Sequence, residues 1–329
     1  MRVRPSILPP LPKLAKLKVW VTTLLQVLLV LTATACSSPD PVIPFSPALD
    51  LTTATKRGAE LVNGLAACGF CHAPLDSAKT EGAQLTNDTP PLSGGRKIGT
   101  IYGEISAPNI TPSLESGIGA LSNYDIRSIL RTSARSDGSE VNSSVHKGFE
   151  WLSDTDIFAI TSYLRSLPAV ENKVERYSPS VISRNTTGIF DTRIEVKGYV
   201  PAISTQFKQE YGGYLVDHVA RCASCHNSPA GIFSSERYLA GGKEISIDGE
   251  VRLAPPLLGS PKEDPEGEEQ PASLILGPDG IRRYLKSGTT PDGRMANARF
   301  CPTTFYSKAT ELEIDAIVSY LSSDLRSVD

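Results

Sequence analysis

Cys68-Gly69-Phe70-Cys71-His72 places two thiols three residues apart, with an imidazole directly after the second. This is the attachment signature of a c-type haem. On a short helical turn the thiols can add to the two vinyl groups of one porphyrin. The histidine then offers its ring to the iron from the proximal side. Working outward, the same pattern returns as Cys222-Ala223-Ser224-Cys225-His226. A zinc site would want a further pair of thiols or histidines beside each copy, and neither has one. Thioredoxin-type chemistry does not need the histidine and would sit in a βαβ pattern that is absent here. The two copies use four of six cysteines and two of four histidines, which chance repetition does not supply. The expectation is two haem c groups, bonded to Cys68, Cys71, Cys222 and Cys225, with His72 and His226 as proximal ligands.

The motifs sit inside a longer internal repeat. Gly58 and Leu61 lie ten and seven residues before Cys68, as Gly212 and Leu215 do before Cys222. Leu92-Ser93-Gly94-Gly95-Arg96 returns as Leu239-Ala240-Gly241-Gly242-Lys243, and Ala107-Pro108 as Ala254-Pro255. The segment from Ile126 to Gly138 matches Ile281 to Gly293, and Ala159 to Leu164 returns as Ala316 to Leu321. The expected organisation is a first domain over 52–168, a linker over 169–204 and a second domain over 205–325. Each copy reads as mainly α, with helices at both ends and loops between that wrap the porphyrin. Its last helix opens on a capping pattern, Ser153 with Asp156 or Thr310 with Glu313. Apolar residues at helical spacing follow, Ile157, Ile160 and Leu164 or Ile314, Ile317 and Leu321. Gly58 and Gly212 are expected to let the first helix approach the last, near Tyr163 and Tyr320.

Upstream, 1–35 reads as a targeting segment outside the fold. Five basic residues and no acid precede an apolar run from Val19 to Leu31, which is short for a membrane span. Ala33-Thr34-Ala35 fits ordinary signal cleavage, and Cys36 directly after it also fits a bacterial lipobox, in which that cysteine is acylated. A leucine three before the cysteine is usual there, and Ala33 stands in its place. The polar, Pro-broken stretch over 36–51 reads as a tether. Both readings export the chain, to the periplasmic side of a bacterial membrane, and the lipid-anchored one is favoured. Loss of five bases takes the formal charge from −3 to −8. An acidic chain associates with basic partner surfaces in a salt-sensitive way, and nucleic acid is an unsuited partner. The run from Lys262 to Glu269 reads as a solvated insertion.

Together these features resemble class I cytochrome c domains. The Gly-Gly after each motif, Pro108-Asn109-Ile110-Thr111-Pro112 before Gly117-Ile118-Gly119, and Tyr163-Leu164-Arg165-Ser166-Leu167-Pro168 resemble the cytochrome c subunits of membrane-bound gluconate and alcohol dehydrogenases. That family commonly carries three haems, against two motifs here. The resemblance implies electron relay from a dehydrogenase partner toward quinone or the respiratory chain.

The distal ligands depart from that family's pattern. A Met-Pro pair some nineteen residues before the closing Tyr-Leu is expected, but those positions hold Ser144 and Cys301. In the first copy His146 is the nitrogen ligand within reach, against an open iron beside Ser144. In the second, Met295 is the expected ligand by its chemistry, with Cys301, by its place before Pro302, as the alternative. His218 reads as structural. Behind the proximal histidines, the carbonyls of Pro90 or Pro91 and of Pro255 or Pro256 are the candidate acceptors.

An electron-transfer cytochrome is the leading reading, with the haems doing the chemistry and the chain tuning them. Whether the chain also acts as an enzyme is left open. The alternative is a dihaem oxidoreductase of thiosulfate dehydrogenase or peroxidase type. It would need polar groups such as Arg131, Arg135, Arg294 or Arg299 converging near an iron.

Overall fold

The computed structural model describes residues 49–74, 92–100, 103–135, 145–175, 196–229, 235–258 and 272–323. The signal segment, Cys36, most of the tether, Pro90, Pro91, Ser144 and the 262–269 insertion lie outside them. In chain order the elements are α1 (Leu51–Asn63), α2 (Cys68–His72), β1 (Lys97–Thr100), β2 (Gly103–Ser106), α3 (Asn123–Thr132) and α4 (Asp154–Ser166). The second copy continues with α5 (Lys208–Tyr214), a wide π turn (Leu215–Val219), α6 (Cys222–His226), β3 (Glu244–Ile247), β4 (Glu250–Leu253), α7 (Ala272–Ser287), α8 (Thr303–Tyr306) and α9 (Glu311–Leu321).

Each copy starts on a helix that feeds its motif. The Asp50 carboxylate accepts from the Thr52 and Thr53 N–H groups and starts α1. Both feeder helices leave by a loosened turn: Ala66 N–H reaches the Leu61 carbonyl at 3.0 Å, and Ala220 N–H the Leu215 carbonyl at 2.7 Å. The next residue of each copy that reverses the chain, Ala67 or Arg221, is left-handed, at φ 46° and 52°.

The closing helices pack across the feeders. A Cβ on Gly58 would stand 2.7 Å from Tyr163 Cβ, and one on Gly212 2.8 Å from Tyr320 Cβ. Both would also press into a carbonyl, of Ala159 or of Ala316, so glycine is what allows the crossing. The Ser153 hydroxyl accepts from Asp156 N–H to start α4, and a full reciprocal capping box of Thr310 and Glu313 starts α9. A second full box, Ser122 with Asp125, starts α3.

The mainly helical expectation holds, with a small sheet added to the loops. Two hairpins join edge to edge in the order β2-β1-β3-β4, all antiparallel, through Ile98 opposite Ile247. Asp248-Gly249 turns the second hairpin with both residues at positive φ, the conformation a tight hairpin asks for. The strands escaped the sequence reading because four residues are too few for an alternation to show.

The two copies share one core. Leu61, Leu65, Ile157 and Ile160 of the first belong to the same buried cluster as Leu215, Val219, Ile314 and Ile317 of the second. Polar ties cross as well. Arg57 on α1 donates to Glu313 at 2.7 Å and to Asp156 at 3.3 Å, and the Tyr214 hydroxyl donates to Asp156 at 2.6 Å. Among the described residues no helix is long and apolar enough to cross a membrane.

Candidate haem centres

Each motif forms one five-residue helix that carries its two cysteines and its histidine. The loop after it is anchored through the paired glycines. Gly94 N–H donates to the His72 carbonyl at 2.7 Å, and Gly241 N–H to that of His226 at 2.6 Å. All four of these glycines have positive φ, between 73° and 102°, which is why Gly-Gly recurs in the repeat.

The ring of each motif histidine is held by the same device. His72 Nδ1 donates to the Pro108 carbonyl at 2.7 Å, and His226 Nδ1 to that of Pro255 at 2.8 Å. Such a bond fixes the tautomer and leaves Nε2 free to ligate. Pro255 was among the sequence candidates. In the first copy the acceptor is Pro108 rather than Pro90 or Pro91. The repeat of Ala107-Pro108 as Ala254-Pro255 carried that signal.

His146 faces His72. The ring centres are 6.3 Å apart and the rings tilt by 28°. Two imidazoles sharing one metal, each bonded at about 2 Å with the ring centre roughly 1 Å behind its nitrogen, stand about 6 Å apart. The residues therefore fit an iron between them. Nδ1 of His146 is buried with no hydrogen-bond partner among the described residues. Burial, then the Arg221 charge, holds the imidazole down at about 3, so it is neutral at neutral pH, the form that ligates. Burial also pushes the Cys68 thiol up to about 12, against the pull of Arg221.

In the second copy the two distal candidates part company. Met295 is 73% exposed, in a bridge to Thr289. Cys301 is half-buried against the same core as Cys222, and burial pushes its thiol up to about 12.

No protein-family model matches the chain. Curated relatives do. A diheme cytochrome c-type protein of Cereibacter sphaeroides is 26% identical over 75% of this chain and 79% of its own length. The cytochrome subunit of a Gluconobacter japonicus fructose dehydrogenase is 34% identical over 53% of the chain and 33% of that protein. The cytochrome c subunit of a Gluconacetobacter polyoxogenes quinone-dependent alcohol dehydrogenase is 30% identical over 72% of the chain and 43% of that protein. The chain is therefore similar to a diheme cytochrome c and to cytochrome c subunits of dehydrogenases. It spans most of the first relative's length and less than half of the dehydrogenase subunits'.

The remaining sequence candidates have other partners. Arg131 is buried, donates to the Glu150 carbonyl at 2.6 Å and pairs with Asp154 at 3.1 Å. Arg294 pairs with Asp292 at 2.7 Å, and Arg299 with Glu250. His218 Nδ1 donates to the Gly148 carbonyl at 3.0 Å, a structural contact as expected, but one made to the other copy. Sequence reasoning passed over Arg221. Its guanidinium lies 4.0 Å over the Phe149 ring and donates to the Val145 carbonyl at 2.6 Å.

Proposed function

We propose that the chain is an exported dihaem c-type cytochrome of two tandem class I domains that relays electrons between redox partners. The observation that carries this reading is the duplicated site: two Cys-x-x-Cys-His helices, each with its histidine held by a proline carbonyl at the matching position. Bound haem supplies the one-electron chemistry. Cys68, Cys71, Cys222 and Cys225 would hold the two groups, and the Pro108 and Pro255 carbonyls orient His72 and His226 toward the irons.

His146 is the proposed distal ligand of the first haem, supported by its 6.3 Å separation from His72. For the second haem Cys301 is proposed over Met295, because Cys301 packs against the same core as Cys222 while Met295 extends into solvent. A dehydrogenase is the proposed electron donor, as the relatives' names suggest, with a respiratory-chain acceptor. The proposed location is the periplasmic face of a bacterial membrane, with acylated Cys36 as anchor.

Intact mass spectrometry of the exported protein tests the central claim. The processed chain should carry two haems that acidic acetone does not extract, plus acyl chains at Cys36. A single haem, or extractable haem, rules out the dihaem reading. An unmodified amino terminus removes the anchor alone.

A further inference from the structure

The loop carrying His146 belongs to the first copy, yet the groups that hold it belong to the second. On one side of His146, the Val145 carbonyl accepts from Arg221 Nη1 at 2.6 Å. On the other, the Gly148 carbonyl accepts from His218 Nδ1 at 3.0 Å, and Lys147 Nζ pairs with Glu236 at 2.9 Å. The Arg221 guanidinium also stacks on Phe149, whose ring centre is 5.9 Å from that of His146. Gly148 is pressed against the same helix end: a Cβ there would meet the Asp217 carbonyl at 2.7 Å and Arg221 Cγ at 3.0 Å.

The comparison between copies isolates these residues. His218 and Arg221 stand four and one before Cys222, and the same places before Cys68 hold Gly64 and Ala67. The backbone path is shared, since Ala67 and Arg221 are both left-handed. The side chains that reach across are therefore an addition to the second copy and not a demand of the motif.

Ordering residues 145–148 costs backbone entropy. Within its own copy the loop gains the bond from Phe149 N–H to the His146 carbonyl at 3.0 Å and the burial of Phe149. The hydrogen bonds from Arg221 and His218 and the stacked guanidinium add to that hold from the second copy.

We propose that Arg221 and His218 are positioning residues for the first haem: the second copy clasps the first copy's distal loop and so presents His146 to the iron. This rests on the reading of His146 as distal ligand. A consequence is that the first centre is completed only when the second copy has folded onto it.

The test uses the full-length, haem-loaded protein, with carbon monoxide as a probe of an open ferrous iron. Wild type, His146→Ala, Arg221→Met, Arg221→Lys and the Arg221→Met/His218→Leu double variant are compared, each first shown by mass to retain both haems. His146→Ala should gain carbon monoxide uptake over wild type at one haem. Arg221→Met should move part of the way toward it and the double variant further, with loss of low-spin absorption. Arg221→Lys, which keeps the charge and one donor, should stay near wild type. The clasp is refuted if both Met-containing variants keep two haems and wild-type uptake while His146→Ala opens. If His146→Ala leaves uptake unchanged, the distal reading itself fails and takes the clasp with it.

Discussion

Glycine is the residue whose position says most about how this chain packs. Gly58 and Gly212 sit where the feeder and closing helices cross, each against a carbonyl and a tyrosine Cβ. Neither contact can yield, because both belong to helix backbones or to atoms fixed on them. Gly58→Ala and Gly212→Ala should each cost about 1–3 kcal/mol through overpacking. Denaturant unfolding of the haem-loaded protein measures this, and a loss within experimental error at both sites would mean that the helices slide apart freely.

The proposed ligation of a second haem is also tested residue by residue. Thiolate ligation withholds the acceptor thioether that raises a haem's potential. Cys301→Ser should therefore change the spectrum and the reduction potential of one haem, while Met295→Leu leaves both haems as they were. The opposite pattern would return the role to Met295.

At the scale of the element, caps and turns decide where the short helices begin. The Thr310 hydroxyl accepts from Glu313 N–H at 3.3 Å, and Glu313 Oε2 accepts from Thr310 N–H at 2.9 Å. Thr310→Ala should cost about 1 kcal/mol, read as a lower denaturant midpoint with an unchanged slope. A slope change would signal that the folded or unfolded state itself had been altered. The pattern was visible beforehand because a capping box spans only four residues. The hairpins were not, since strands of four residues show no alternation, and the one pair that joins them, Ile98 with Ile247, lies far apart along the chain.

At the scale of the whole molecule, Arg57 ties the copies together. Its side chain is 20% exposed, and the Glu313 carboxylate it reaches is 5% exposed. Arg57→Met would leave that carboxylate and Asp156 without their cation, a loss on the order of 3–5 kcal/mol for a buried pair broken from one side. Calorimetry of the loaded protein should show a clearly lower transition. An unchanged transition would mean that the core and the sheet alone unite the copies.

The sequence by itself determined whatever is encoded within a few residues or by repetition. The two Cys-x-x-Cys-His motifs, the capping residues, the helix-crossing glycines and the matched Ala-Pro pairs are all local or duplicated signals. Tertiary structure alone decided that Met295 is exposed while Cys301 is half-buried, and that His218 and Arg221 reach the loop of the other copy. Those last contacts join residues 70 and 76 positions apart. Whether they form depends on the path of the whole chain, and no short-range pattern records it.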